Sequence, residues 1–182
     1  NMLGRMGLEG DEGFESYSTD AASVGDYTVY ATDAKILTYY RSLYRGINRA
    51  NMILERVDDP SISISTEERN HIKGQTLFLR GYYYFMLVNK FGGVPVLLKA
   101  TRSAATADLQ IPRSSTKEVY DVVVNDLKTA ADLLKPITAV TAGTIATKSA
   151  AWGMLARVCL YMAGEPLKDT AKYAEAATWA EK

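Results

Sequence analysis

Cysteine and histidine are almost missing from this 182-residue sequence, with Cys159 and His71 the only examples. One cysteine excludes an internal disulfide framework, and with one histidine a Cys/His zinc site lacks ligands. Net charge is missing too: 21 Lys and Arg balance 21 Asp and Glu. No basic run gathers charge locally, so the electrostatic footprint of a nucleic-acid binder is lacking and no nucleic-acid partner is expected. Long apolar runs are also lacking. The best candidate, Leu77–Val88, has twelve residues and includes Arg80, against the roughly 20 apolar residues of a membrane-spanning helix.

Catalytic signatures are equally scarce. No serine lies in a Gly-x-Ser-x-Gly elbow. Cys159, among Val158, Leu160 and Met162, reads as a small buried hydrophobe rather than a nucleophile. His71 has no second histidine or cysteine to complete a catalytic or metal set and reads as a boundary residue. The segment from Gly143 to Ser149 imitates a phosphate-binding loop, but Ala142 and Thr147 stand where that motif needs glycine. It reads as a loop and helix N-cap. The expectation is a protein that is not an enzyme and holds no cofactor or metal.

What is present is apolar patterning. Hydrophobic residues make up 47% of the chain, enough for a core in one domain or part of a larger one. The five prolines, at 60, 95, 112, 136 and 166, separate stretches of helical periodicity, because proline belongs outside helix interiors. A first helix is predicted from about Asp33 to Val57 with Thr32 as N-cap. Its stripe Ile36, Tyr40, Leu43, Ile47, Ala50, Leu54 and Val57 recurs at spacings 4-3-4-3-4-3.

A second helix starts at the capping box Ser65–Glu68, runs to about Lys90 and stops at Gly92-Gly93 before Pro95. Its latter half is apolar nearly all round and should lie centrally, with Gly74 and Gly81 admitting a close neighbour. A third follows the capping box Ser115–Glu118 and buries Val119, Val123, Leu127, Ala130 and Leu134. The fourth opens at Thr147, buries Ala151, Leu155, Val158 and Met162, and ends at Gly164; the fifth begins near Thr170. Residues 94–112 read as an extended connection, with a short strand left open.

The expected fold class is all-α, built of antiparallel helix pairs. In the last pair, Ala156 and then Tyr173-x-x-Ala176-x-x-x-Ala180 give TPR-like packing, although the Gly164–Thr170 connection is longer than that repeat allows. The pattern Tyr173–Lys182 has no C-cap glycine or trailing proline, so the chain is expected to be a fragment of a larger fold. Within it, residues 1–31 are expected to be irregular and 32–182 a helical scaffold.

The irregular segment carries the candidate site. Phe14, Tyr17, Tyr27 and Tyr30 lie where no regular pattern would bury them, and loop aromatics on a rigid scaffold can stack on sugar rings or anchor the loop itself. Glu9, Asp11, Glu12, Glu15 and Asp20 crowd the same segment. Their oxygens suit calcium, yet the EF-hand spacing is missing, and a solvated acidic loop is the simpler reading. Tyr82-Tyr83-Tyr84 and Tyr39-Tyr40 fall in helices and read as packing residues.

Four ordered blocks are more specific. Leu43-Tyr-Arg-Gly-Ile-Asn-Arg-Ala-Asn-Met-Ile-Leu-Glu55 precedes Phe78-Leu-Arg-Gly-Tyr-Tyr-Tyr-Phe-Met-Leu-Val-Asn-Lys-Phe-Gly-Gly-Val-Pro95. Ile111–Tyr120 and Thr147–Tyr161 follow. Together they resemble the SusD/RagB family of nutrient-binding outer-membrane lipoproteins. The resemblance implies an all-α, TPR-containing fold in a chain two to three times longer. It also implies a lipid-anchored position on the cell surface, the anchor lying outside this chain. The implied role is capture of oligosaccharides for import by a partner TonB-dependent SusC-like transporter, without cleavage. Asn48, Asn51, Arg80, Gly92 and Pro95 fit the family pattern as scaffold, which leaves the loops from Phe14 to Tyr30 for ligand contact. The competing expectation is an intracellular TPR-like adaptor that grips a peptide or protein.

Overall fold

The computed structural model describes residues 32–102, 110–140, 143 and 145–182. By contact density the chain divides into Asn1–Ser42 and Leu43–Lys182. In order, the described elements are α1 (Ala34–Arg56), α2 (Thr66–Phe91), α3 (Thr116–Leu133), a 3-10 turn at Ile137–Ala139, α4 (Lys148–Ala163) and α5 (Lys172–Ala180). The architecture is all-α, and no strand occurs among the described residues.

Of the first unit only residues 32–42 are described, the opening turns of α1. The cap there is Asp33 rather than the expected Thr32: its carboxylate accepts from the amides of Lys35 at 2.6 Å and Ile36 at 3.4 Å. Aspartate also places a negative charge at the positive end of the helix dipole. Tyr39 is buried and Tyr40 only half-buried, so the stripe is shifted by one residue in these turns.

In the second unit the periodicity holds. Leu43, Ile47, Ala50 and Val57 of α1 are buried, as is the whole predicted stripe of α3 with its flanking Leu134. Both capping boxes form. Ser65 Oγ accepts from the Glu68 amide at 3.1 Å while Glu68 accepts from the Ser65 amide at 3.0 Å. Ser115 and Glu118 repeat the exchange at 3.2 and 2.7 Å. At the far end of α2, Gly92 takes φ 67°, a left-handed conformation that side chains disfavour, and its amide closes on Val88. Thr147 caps α4, accepting from the Ala150 amide.

Helix α2 lies at the centre, as its apolar composition requires, with Leu77, Tyr84, Phe85, Leu87 and Val88 buried. Leu77 joins Ala130, Ala131 and Leu134 of the α3 region and Ala151 of α4 in one core. The ring of Phe85 meets Tyr161 edge-on at 5.2 Å, adding an aromatic contact between α2 and α4. Gly74 and Gly81 do admit a close neighbour. A Cβ on Gly74 would sit 3.1 Å from Leu133, and one on Gly81 3.2 Å from Leu127. Gly46 of α1 plays the same part against Tyr83, whose ring a Cβ would meet at 2.5 Å.

Helix α4 packs on α5, and Ala156 and Ala176 are buried as the TPR-like pattern requires. Tyr173 and Ala180 of that pattern are exposed. The fifth helix starts at Lys172, two residues after the expected Thr170, and no side chain caps it. Its main polar anchor is Glu175, which accepts from Lys128 of α3 at 2.8 Å and from Lys172 at 2.5 Å. These two ammonium groups, led by Lys128, hold the Glu175 carboxyl down to about 2.

Packing and charge yield three predictions. Gly81→Leu should lower stability in urea unfolding by about 1–3 kcal/mol through overpacking. Gly153→Ala should raise it by about 0.5–1 kcal/mol, because a Cβ there meets nothing within 4 Å. Because the folded carboxyl of Glu175 titrates below its unfolded value of 4.5, its contribution is full above that pH and fades as pH falls toward 2. The difference in melting temperature between the native chain and Glu175→Gln should shrink across that window.

Candidate functional site

The second unit is organised around an extended strap, residues 94–102, lying against α1 and α2. Its position follows from a polar stripe on α1. Tyr44, Asn48, Asn51 and Glu55 recur at spacings 4-3-4, on a different face from the buried stripe. Each spends its side chain on the strap's backbone. Tyr44 Oη donates to the Pro95 carbonyl at 2.7 Å. Asn51 Nδ2 donates to the carbonyls of Leu97 and Lys99 at 2.9 and 3.0 Å. Glu55 accepts from the Ala100 amide and Asn48 from the Thr101 amide, both at 2.7 Å.

From α2, the fully buried Tyr84 both donates to the Leu97 carbonyl at 2.9 Å and accepts from its amide at 2.7 Å. The strap bends at Lys99, so that Thr101 returns to Asn48 while Ala100 stays with Glu55. The open question of a strand in residues 94–112 is thereby answered for the described part. No ladder forms: the Val94 carbonyl accepts from the Ser114 amide at 3.2 Å, and the groups from Pro95 to Thr101 named above pair with helix side chains.

Behind the strap sits a buried ionic group. Arg80 of α2 donates from Nε and Nη2 to the two carboxylate oxygens of Asp126 on α3, both at 2.7 Å, and from Nη1 to Asn51 Oδ1 at 2.9 Å. The amide of Asn51 is therefore fully used, accepting from the guanidinium and donating twice to the strap. Burial pushes the Asp126 carboxyl up, and the two hydrogen bonds from Arg80 oppose it. At the strap's end, the Ala100 amide and then the Arg102 guanidinium, 2.6 Å away, hold the Glu55 carboxyl below its ordinary range.

Cavities open on this unit, one beside the strap and another at the end of α1. One, about 420 Å³, is lined by residues 96–102 of the strap and Ile111. The other, about 340 Å³, lies between the C-terminal turns of α1 (Met52, Ile53, Arg56, Val57), the following loop (Ile62, Ile64) and Ile72 of α2. Neither was legible from periodicity or motif. The signal for the strap was the second, polar stripe on α1, one residue out of step with the apolar one.

Phe14, Tyr17, Tyr27 and Tyr30, together with the acidic cluster Glu9–Asp20, lie outside the described residues. Tyr84 of the tyrosine run is a buried packing residue, and Tyr82 and Tyr83 are half-buried. Cys159 is fully buried and burial raises its thiol to about 11, so it stays protonated. The imitation of a phosphate loop is engaged elsewhere: the side chain of Gln75 donates to the Ala146 carbonyl at 2.5 Å and accepts from its amide at 2.9 Å. Among the described residues no three His, Cys, Asp or Glu gather as metal ligands, and no helix is long and apolar enough to cross a membrane.

Comparison with known proteins adds a family model, SusD-like, described as starch-binding associating with outer membrane, which matches residues 9–160. SusD-like protein P38 of Formosa agariphila is 29% identical over 119 residues, covering 65% of this chain and 22% of that protein. A solved SusD homolog from Bacteroides thetaiotaomicron has a TM-score of 0.78 and 27% identity over 91% of this chain and 32% of its own. A laminarin-binding SusD-like protein shares the fold with a TM-score of 0.73 at 23% identity, over 87% of this chain and 32% of its own. The chain thus spans about a quarter of the curated relatives and a third of the solved ones.

The ionic group yields a prediction. Asp126→Ala, which strands the Arg80 charge, should cost about 3–5 kcal/mol in urea unfolding, and the joint Arg80→Met/Asp126→Leu change clearly less. Hydrogen exchange should add local detail, with Asn48→Ala and Glu55→Ala speeding the Thr101 and Ala100 amides while those of α3 keep their protection.

Proposed function

The chain belongs to the SusD-like family, and from that premise we propose that it forms the N-terminal part of a cell-surface glycan-binding lipoprotein. In this reading the helical region from residue 32 onward is the scaffold, and residues 1–31 supply loops toward the ligand. Phe14, Tyr17, Tyr27 and Tyr30 stack on sugar rings there, since aromatic faces bind the apolar faces of sugars without needing charge. The captured oligosaccharide passes to a partner TonB-dependent SusC-like transporter for import. The protein is held at the outer membrane by a lipid anchor, and it binds without cleaving.

The observation that carries the reading is the family match across residues 9–160, in a family described as starch-binding and outer-membrane associated. The use of the polar side chains also supports a scaffold role. Asn48, Asn51, Tyr84 and Arg80 all hold backbone or each other. The same family description favours this reading over an intracellular adaptor.

The test is a glycan screen of the intact protein followed by calorimetry with the best oligosaccharide. Tyr27→Ala or Tyr30→Ala should weaken binding at least tenfold, and Tyr83→Ala little once folding is controlled. Equal affinities for all three variants would remove the loop assignment, and steady release of shortened sugars would remove the non-enzymatic one.

A further inference from the structure

Two kinds of contact fasten the strap, and they divide at Lys99, where the chain bends. Up to the bend, each helix side chain that holds it is uncharged. The Tyr44 phenol takes Pro95, the Tyr84 phenol takes Leu97, and the Asn51 amide takes the carbonyls of Leu97 and Lys99. Tyr84 and Asn51 are themselves buried, and Arg80 pins the Asn51 oxygen. Past the bend the fastening changes. The two carboxylate oxygens of Glu55 are divided between the Ala100 amide at 2.7 Å and the Arg102 guanidinium at 2.6 Å, and Asn48 accepts from the Thr101 amide. Among the described residues no backbone–backbone hydrogen bond secures residues 100–102.

The charges at this end are within reach of solvent: the side chains of Glu55 and Arg102 are 31% and 71% exposed. An exposed ion pair holds weakly and is screened by salt, whereas a carboxylate strengthens the hydrogen bond it accepts from an amide. The Ala100 amide first, then Arg102 and Lys99, hold the Glu55 carboxyl below its ordinary range, so it is ionised at neutral pH. The end of the strap therefore depends chiefly on one charged side chain. We propose that residues 100–102 are an ionic latch, which Glu55 holds against α1 and which, on release, swings about Lys99 while residues 94–99 stay seated. The latch bears on the 420 Å³ cavity, because Ala100, Thr101 and Arg102 form part of its wall beside Val96, Leu97 and Ile111. Latched, the cavity has that wall; released, it loses it. A fixed anchor with a releasable end lets the cavity change shape while the helices behind it stay folded. The device rests on the contacts of α1 with the strap and does not depend on glycan binding.

The test is hydrogen exchange on the intact protein, read amide by amide as protection factors in sodium chloride from about 0.05 to about 1 M. Protection of Ala100 and Thr101 should fall at least about threefold over this range, while that of Leu97 and of the α3 amides stays level. Glu55→Gln should lower Ala100 protection at least about fivefold at low salt and remove most of the salt response. Arg102→Gln, which keeps the carboxylate and its bond to the Ala100 amide, should produce only part of that loss. The methyl resonance of Ile111, across the cavity, should move in the same direction with salt and with Glu55→Gln. Loss of Leu97 protection in step with Ala100 would show the strap moving as one body and overturns the proposal. A native chain indifferent to salt, a full salt response persisting in Glu55→Gln, or an unmoved Ile111 methyl overturns it too.

Discussion

The contact on which the second unit depends is the bidentate pair of Arg80 and Asp126, extended through Asn51. It links α2 to α3 and α1, and through the two amide hydrogens of Asn51 it also fixes the strap. A buried ion pair is a poor source of net stability, since desolvation of both charges offsets most of their attraction. Its value lies in geometry. The fork of a guanidinium accepts only one arrangement of carboxylate and amide, so three helices and an extended segment are brought to a single register that apolar packing alone would leave loose. Asn51 and Arg80, which lie in two of the blocks that resemble the family, act as framework.

Helix α1 shows how one element serves three neighbours. One face is apolar and enters the core through Leu43, Ile47, Ala50 and Val57. A second holds the strap with Tyr44, Asn48, Asn51 and Glu55. The third carries Arg45, Arg49, Met52, Ile53 and Arg56 outward. Gly46, on the boundary of the first and third faces, is small because Tyr83 presses there. Each assignment follows from position on the helix, and each uses side chains suited to its neighbour: aliphatic for packing, amide and phenol for backbone, guanidinium for solvent.

Much of this was legible in sequence because it is local. Capping boxes at Ser65 and Ser115, the glycine stop at Gly92 and the stripes of α3 and α4 depend on residues within a few positions of one another, and all formed as read. Gly74 and Gly81 were legible because two glycines in an otherwise apolar helix need a packing reason. Other features depended on distant partners. Nothing near Arg80 in sequence identifies Asp126 as its counter-ion, and the apolar run around Leu97 fits a strand as well as a strap until its hydrogen-bond partners are known. The cap at Asp33 was misplaced by one residue because Thr32 and Asp33 are both good caps, and only the backbone path chooses between them. The candidate aromatics Phe14, Tyr17, Tyr27 and Tyr30 rested on composition and the family resemblance, not on any periodic pattern.

The strap has a consequence for how the protein behaves in company. Val96, Leu97 and Leu98 form the kind of short aliphatic run that, lying bare and extended, would recruit a matching run from another molecule and seed insoluble assemblies. Tyr84 occupies both backbone groups of Leu97, while Asn51 takes the carbonyl of Lys99 and Glu55 the amide of Ala100. A stretch prone to sticking is thereby carried on the molecule with the backbone of its middle residue, Leu97, already spoken for.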